Sequence, residues 1–112
     1  MSPITTHILD TAAGCPADGV AVTLEQQGAG GWSALARGTT DSDGRVRDLL
    51  PEGSLEAGVY RITFDIDAYF QRQSIRGFYP HATIVFRVDD PSQHYHVPLL
   101  LSPFGYSTYR GS

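Results

Sequence analysis

The chain has 112 residues, room for one domain (1–112) rather than two, with 8 basic against 12 acidic side chains and a net charge of −4. That balance, with no run of like charge, excludes a basic nucleic-acid surface or a polybasic membrane patch, and 41% hydrophobic with 11% aromatic residues excludes a disordered chain. Twelve glycines and 7 prolines exceed the usual roughly 7% and 5% and predict many turns between short elements.

Residues 4–9 alternate, with Ile4, Thr6 and Ile8 on one face and Thr5, His7 and Leu9 on the other, and predict a strand. After Gly14, Pro16 and Gly19, the series Val20, Val22, Leu24 against Ala21, Thr23, Glu25 predicts a half-buried strand. Gly28-Ala29-Gly30-Gly31 turns the chain into a return strand over residues 32–37. Asp41-Ser42-Asp43-Gly44 is a tight turn that places Arg45 beyond the bend, and residues 48–58 read as loop. Tyr60, Ile62, Phe64 and Ile66 alternate as a strand, after which residues 67–73 predict one short helix with Asp67 as N-cap. Ala82, Ile84, Phe86 and Val88 make a further strand. In the next, His94 and His96 share one face and Tyr95, Val97 and Leu99 the other, with Pro98 favouring an edge or bulge. The turn at Pro103-Phe104-Gly105 leads to a last strand over residues 106–110. The sum is an all-β antiparallel sandwich of about eight strands with one short helix.

No apolar stretch is long enough to cross a bilayer and no signal peptide opens the chain. Cys15, the single cysteine, cannot form an internal disulfide and fits a reducing compartment. Together with a C-terminus that carries no peroxisomal address, this predicts a cytoplasmic protein. A domain of this size has a radius of gyration of about 13 Å and little interior to spare, so any active site is expected in a surface cleft or between subunits.

Few residues suggest chemistry on their own. Asp41-x-Asp43-Gly44 resembles the middle of a calcium loop, but Thr39 and Leu50 stand where the outer acidic ligands belong, which leaves a hairpin turn. Cys15 sits beside Pro16 with no reactive-cysteine motif. No nucleophile elbow, P-loop or dinucleotide fingerprint is present. His94 and His96, two apart on a strand, project from one face and with His7 could form a three-histidine zinc site; residue spacing leaves that reading open beside one in which they are plain surface histidines. His81, in a loop beside Pro80, carries no signal.

Three blocks point to a family. The tail His94-Tyr95-His96-Val97-Pro98-Leu99-Leu100-Leu101-Ser102-Pro103-Phe104-Gly105-Tyr106-Ser107-Thr108-Tyr109-Arg110-Gly111-Ser112 resembles the C-terminal signature of the 5-hydroxyisourate hydrolases, the enzymatic relatives of transthyretin. Ile4-Thr5-Thr6-His7-Ile8-Leu9-Asp10 with Gly14-Cys15-Pro16-Ala17 is similar to the N-terminal signature, and Asp41-Ser42-Asp43-Gly44-Arg45 to a third block, in the same order and across nearly the whole chain. The resemblance implies a transthyretin-like sandwich assembled as a homotetramer, a dimer of dimers with sites at the subunit interface. It implies hydrolysis of 5-hydroxyisourate, the product of urate oxidation, to 2-oxo-4-hydroxy-4-carboxy-5-ureidoimidazoline, without metal or other cofactor. It carries catalytic roles onto His7, Arg45, His96 and Ser112, and substrate contacts onto His7, Arg45, Tyr109 and Arg110; His94 is not carried over. Transthyretin, a carrier of a small planar ligand, lacks the terminal Arg-Gly-Ser and the histidine matching His7, and a non-catalytic carrier is the competing expectation.

Overall fold

Side chains that alternate in the sequence alternate in space across two facing sheets in the computed structural model, which describes residues 1–112. The first sheet is built on β1 (Ile4–Asp10). One edge of β1 carries two very short strands in succession, β2 (Cys15–Pro16) against Leu9 and Asp10, and β5 (Arg45–Val46) against Thr6 and His7. The other edge carries β8 (Tyr95–Ser102), followed by β9 (Gly105–Thr108). The second sheet runs in the order β4 (Gly31–Thr39), β3 (Ala21–Gly28), β6 (Gly58–Asp65), β7 (Ala82–Val88). Between the sheets, Ile4, Ile8, Leu99 and Leu101 meet Val22, Leu24, Ile62 and Phe64, all buried. Each such side chain removed from water contributes about 1.5–3 kcal/mol to the fold.

The sandwich with one short helix agrees with the sequence reading, with three local departures. First, the β1–β8 pair is parallel, Ile4 opposite Tyr95 through Asp10 opposite Leu101, so the first sheet is mixed. Second, the helix α1 spans Ile66–Gln71 and its N-cap is Asp65, whose carboxylate accepts from the Ala68 N–H, rather than Asp67, which lies in the first turn. Ile66 continues the apolar alternation of β6 because the last inward position of the strand and the first inward position of the helix face the same core. Third, Pro98 sits in β8 between two partners, not at an edge. Its carbonyl accepts from the Thr108 hydroxyl at 2.7 Å, so the N–H that proline lacks falls at the gap where the β8–β9 ladder stops.

Two turns anchor the C-terminal half of β1. Asp10 is buried, accepts from the Ala12 and Ala13 N–H groups at 3.1 and 2.9 Å, and accepts from the Tyr69 hydroxyl at 2.8 Å. Burial, then this carboxylate, push the Tyr69 hydroxyl up to about 12. In the turn before β5, the Asp41 carboxylate accepts from the N–H groups of Asp43 and Arg45 at 2.9 and 3.0 Å, while the Gly44 carbonyl accepts from the Ile8 N–H at 2.7 Å. Gly44 has φ +75°, and a Cβ there would run into the Ile8 carbonyl. The turn is thereby riveted to β1, and Asp41 is spent on its own loop. No helix is long and apolar enough to cross a membrane.

Candidate active site

Since Ile4, Thr6 and Ile8 point into the core, the period of two along β1 turns Thr5 and His7 to the outer face of the first sheet. The parallel register sets Thr5 opposite His96 and His7 opposite Pro98, which brings His96 and His94 onto that same face. On the other side of β1, Arg45 pairs with His7. Three strands thus converge on one patch, with β1 in the middle, the guanidinium on one flank and the β8 histidines on the other. The His7 and His96 rings are 6.5 Å apart at 30°, and the His94 and His96 rings 6.3 Å apart at 19°.

Burial lowers the pKa of His7, and Arg45 lowers it further against the opposing pull of Asp41 and Asp43. Burial also lowers that of His96, with Arg45, His7 and His94 adding to it. Both rings are therefore neutral at neutral pH and keep a lone pair free to accept a proton. One side chain and one backbone N–H hold His96 in place. Thr5 Oγ1 lies 2.8 Å from His96 Nδ1, which leaves Nε2 as the free nitrogen. Gly111 donates its N–H to the His96 carbonyl at 2.9 Å and lies so close to the ring that an added Cβ would stand 2.6 Å from His96 Cδ2.

Of the residues expected at the site, the structure brings His7, Arg45 and His96 together. Ser112 follows Gly111 at the edge of this patch and is exposed. Tyr109 and Arg110 are not brought to His7 and Arg45. They border a cleft of about 300 Å³ between β7 and β8 that shares His96 with the patch. Arg110 donates to Gln93 Oε1 at 3.0 Å and to the His94 carbonyl at 3.5 Å, and its guanidinium lies 4.4 Å over the Tyr95 ring. No three His, Cys, Asp or Glu side chains are placed to hold a metal ion, and Thr5 engages a nitrogen of both His94 and His96. Sequence reasoning passed over Thr5, although its place two residues before His7 puts both on one strand face.

The profile of the HIUase/Transthyretin family matches residues 4–111. The chain belongs to this family. Among its members, the 5-hydroxyisourate hydrolase of Salmonella typhimurium is 47% identical, over 97% of this chain and 80% of that protein. Sea bream transthyretin, solved with thyroxine, superposes with a TM-score of 0.93 at 39% identity, over 98% of this chain and 95% of that one. Klebsiella pneumoniae 5-hydroxyisourate hydrolase superposes at 0.84 with 38% identity, over 97% and 98% of the two chains. Since family members with hydrolase and transthyretin names share this backbone, the outer-face side chains have to distinguish them.

Proposed function

We propose that this family member hydrolyses 5-hydroxyisourate to 2-oxo-4-hydroxy-4-carboxy-5-ureidoimidazoline, opening a cyclic amide by attack of water. The observation that carries this reading is the joint placement of two neutral histidines and one permanently charged guanidinium on a single outer sheet face. A carrier site needs shape and apolar area; it has no use for a lone-pair base beside a permanent cation.

The ring carbonyl takes up the water oxygen while an imidazole, His7 or His96, accepts the water proton. Negative charge collects on the carbonyl oxygen, where the Arg45 guanidinium meets it with a rigid pair of N–H donors. The tetrahedral centre then collapses, the C–N bond breaks, and the imidazolium returns a proton to the departing nitrogen. The products are a carboxylate and a ureido group. The Ser112 hydroxyl orients the water or a histidine, and Tyr109 and Arg110 contact the planar substrate where a second subunit closes the patch. No step calls for a metal or other cofactor.

A homotetramer with sites between subunits suits this chain, because the patch lies on an open face and β7 and β9 are unpaired sheet edges of the kind that proteins cover by pairing. An unpaired cysteine suits work in the cytoplasm. The deciding assay follows the ultraviolet decay of freshly generated 5-hydroxyisourate. His7→Ala and His96→Ala should each lower kcat by roughly 10²–10⁴-fold; near-wild-type turnover in both would refute the mechanism. A wild-type protein that binds the planar compound and leaves its decay unaccelerated would be a carrier. Activity lost on chelation and restored by zinc would return the histidines to a metal role.

A further inference from the structure

The Thr5 hydroxyl touches two imidazoles at once. Its Oγ1 lies 2.8 Å from His96 Nδ1 and 2.9 Å from His94 Nε2, because the parallel register sets Thr5 opposite His96 and diagonal to His94. A hydroxyl has one proton and can donate it to only one of the two nitrogens; the other must be an N–H donating to the oxygen. The two rings are therefore coupled. When Thr5 donates to His94 Nε2, His96 carries its proton on Nδ1 and presents a bare Nε2. When Thr5 donates to His96 Nδ1, the proton of His96 sits on Nε2 and that nitrogen can take nothing from water.

We propose that Thr5 and His94 are positioning residues that fix His96 as the Nδ1–H tautomer, through the chain His96 Nδ1–H to Thr5 Oγ1–H to His94 Nε2. The inference rests on the hydrolytic reading, in which His96 must offer a lone pair. His94 is exposed, whereas Thr5 is buried, so the chain runs from the reacting ring beneath the patch to solvent. After Nε2 takes the proton from water, the imidazolium is stabilised by its Nδ1–H bond to Thr5. That proton can shift to the Thr5 oxygen as the Thr5 proton passes to His94 Nε2, which leaves His96 neutral and the charge on His94 at the surface, and the shift reverses as His96 Nε2 gives its proton to the departing nitrogen. A neutral relay suits a half-buried ring beside the Arg45 cation. A carboxylate in the place of Thr5 would hold His96 protonated, whereas a hydroxyl sets the tautomer without adding charge.

The same chain gives the terminal segment a task. Arg110 holds the His94 carbonyl and Gly111 holds the His96 carbonyl, so the tail clamps both ends of the relay to β8.

Thr5→Val keeps the side-chain shape and removes the hydroxyl, Thr5→Ser keeps the hydroxyl, and His94→Phe keeps the ring and removes its nitrogens. With 5-hydroxyisourate, Thr5→Val and His94→Phe should each lower kcat about 10- to 100-fold with KM little changed, as expected of impaired proton transfer, and Thr5→Ser should restore it. Nitrogen-15 spectra of the ring should show His96 protonated on Nδ1 in the wild type and on Nε2 in a substantial fraction of Thr5→Val. A wild-type kcat in Thr5→Val, an effect confined to KM, or an unchanged His96 tautomer in that variant would overturn the proposal. A wild-type protein inert toward 5-hydroxyisourate would refute the hydrolytic reading instead, and the ring spectra would still decide the relay.

Discussion

Gly111→Ala isolates the grip of the tail on His96. Gly111 is not among the residues with positive φ, so alanine meets no backbone penalty and the effect comes from contact alone. The new methyl would stand 2.6 Å from His96 Cδ2 and 3.3 Å from both His96 Cγ and Pro98 Cγ, where ordinary contact begins at 3.4 Å. The ring and the tail must therefore separate by about 0.8 Å. If the ring gives way, the 2.8 Å bond from Thr5 Oγ1 to His96 Nδ1 is strained; if the tail lifts, the 2.9 Å bond from the Gly111 N–H is lost and Ser112 moves with it. Either way a reacting group shifts by most of an ångström, a displacement that can cost about 100-fold in rate, or about 2.7 kcal/mol of transition-state stabilisation. Stability suffers far less, since one peripheral hydrogen bond is worth about 1 kcal/mol and a chain end can fray without opening the core. We expect kcat for 5-hydroxyisourate to fall 10- to 100-fold while the melting temperature drops by no more than about 5 °C. A variant with wild-type kcat would refute the claim that the tail sets the position of His96.

Three other variants test the supports of the same patch. Gly44→Ala combines a left-handed backbone at φ +75° with a clash against the Ile8 carbonyl; it should destabilise the chain by about 2 kcal/mol in urea unfolding and lower activity by moving Arg45, and an unchanged midpoint would contradict it. Tyr69→Phe deprives the buried Asp10 carboxylate of its 2.8 Å donor and should cost about 1–3 kcal/mol with catalytic constants unchanged, measured by the same unfolding and rate assays. Arg45→Gln removes a charge that, after burial, lowers the pKa of both His7 and His96. In the wild type the unfolded chain binds protons below pH ~6.5 before the native histidines do, so stability falls as pH drops through that value and levels off below the native pKa values. The acid limb of kcat/KM should lie below 6.5, and proton NMR titration should find both rings moved upward in Arg45→Gln; unmoved rings would show that Arg45 does not act on them.

The architecture was legible wherever one side chain in two had to face the core. Val22 and Leu24, Tyr60 through Phe64, and Val97 through Leu101 announce their strands because burial enforces the period. The turn that presents Arg45 was legible from Asp41 and Gly44, whose side-chain and backbone chemistry is local. What stayed hidden is non-local. Nothing in residues 4–10 or 95–101 states that these strands pair in parallel, and that register alone puts Thr5 against His94 and His96. The two-residue strands β2 and β5 are too short to show any period, yet β5 is what sets Arg45 beside His7. Asp65 is hidden as a cap because the apolar alternation runs on through Ile66, and Pro98 reads as an edge or bulge residue because the gap in the β8–β9 ladder that accommodates it is invisible from β8 alone. Of the proposed site, the family resemblance implies the candidate residues, whereas the Thr5 bridge and the seat of Gly111 emerge only from the fold.

The alternation that made the strands readable also explains how one backbone can belong to a transthyretin solved with thyroxine and to a 5-hydroxyisourate hydrolase. On β1, Ile4, Thr6 and Ile8 contribute the core contacts while Thr5 and His7 face outward; on β8, Tyr95, Val97 and Leu99 are buried while His96 faces outward. Stability is lodged on one side of the sheet and the proposed chemistry on the other, so outer-face residues can change without opening a cavity in the core, and their replacement costs far less than the several kcal/mol of a large-to-small core substitution. Both chain ends and the turn before β5 must nevertheless be in place for the patch to exist, because it draws on β1, β5, β8 and the tail. The proposed catalytic arrangement is thus a property of the complete sheet while remaining nearly independent of the packing that holds the sheet together, and a change at His7 or Gly111 should slow the reaction while leaving the sandwich folded.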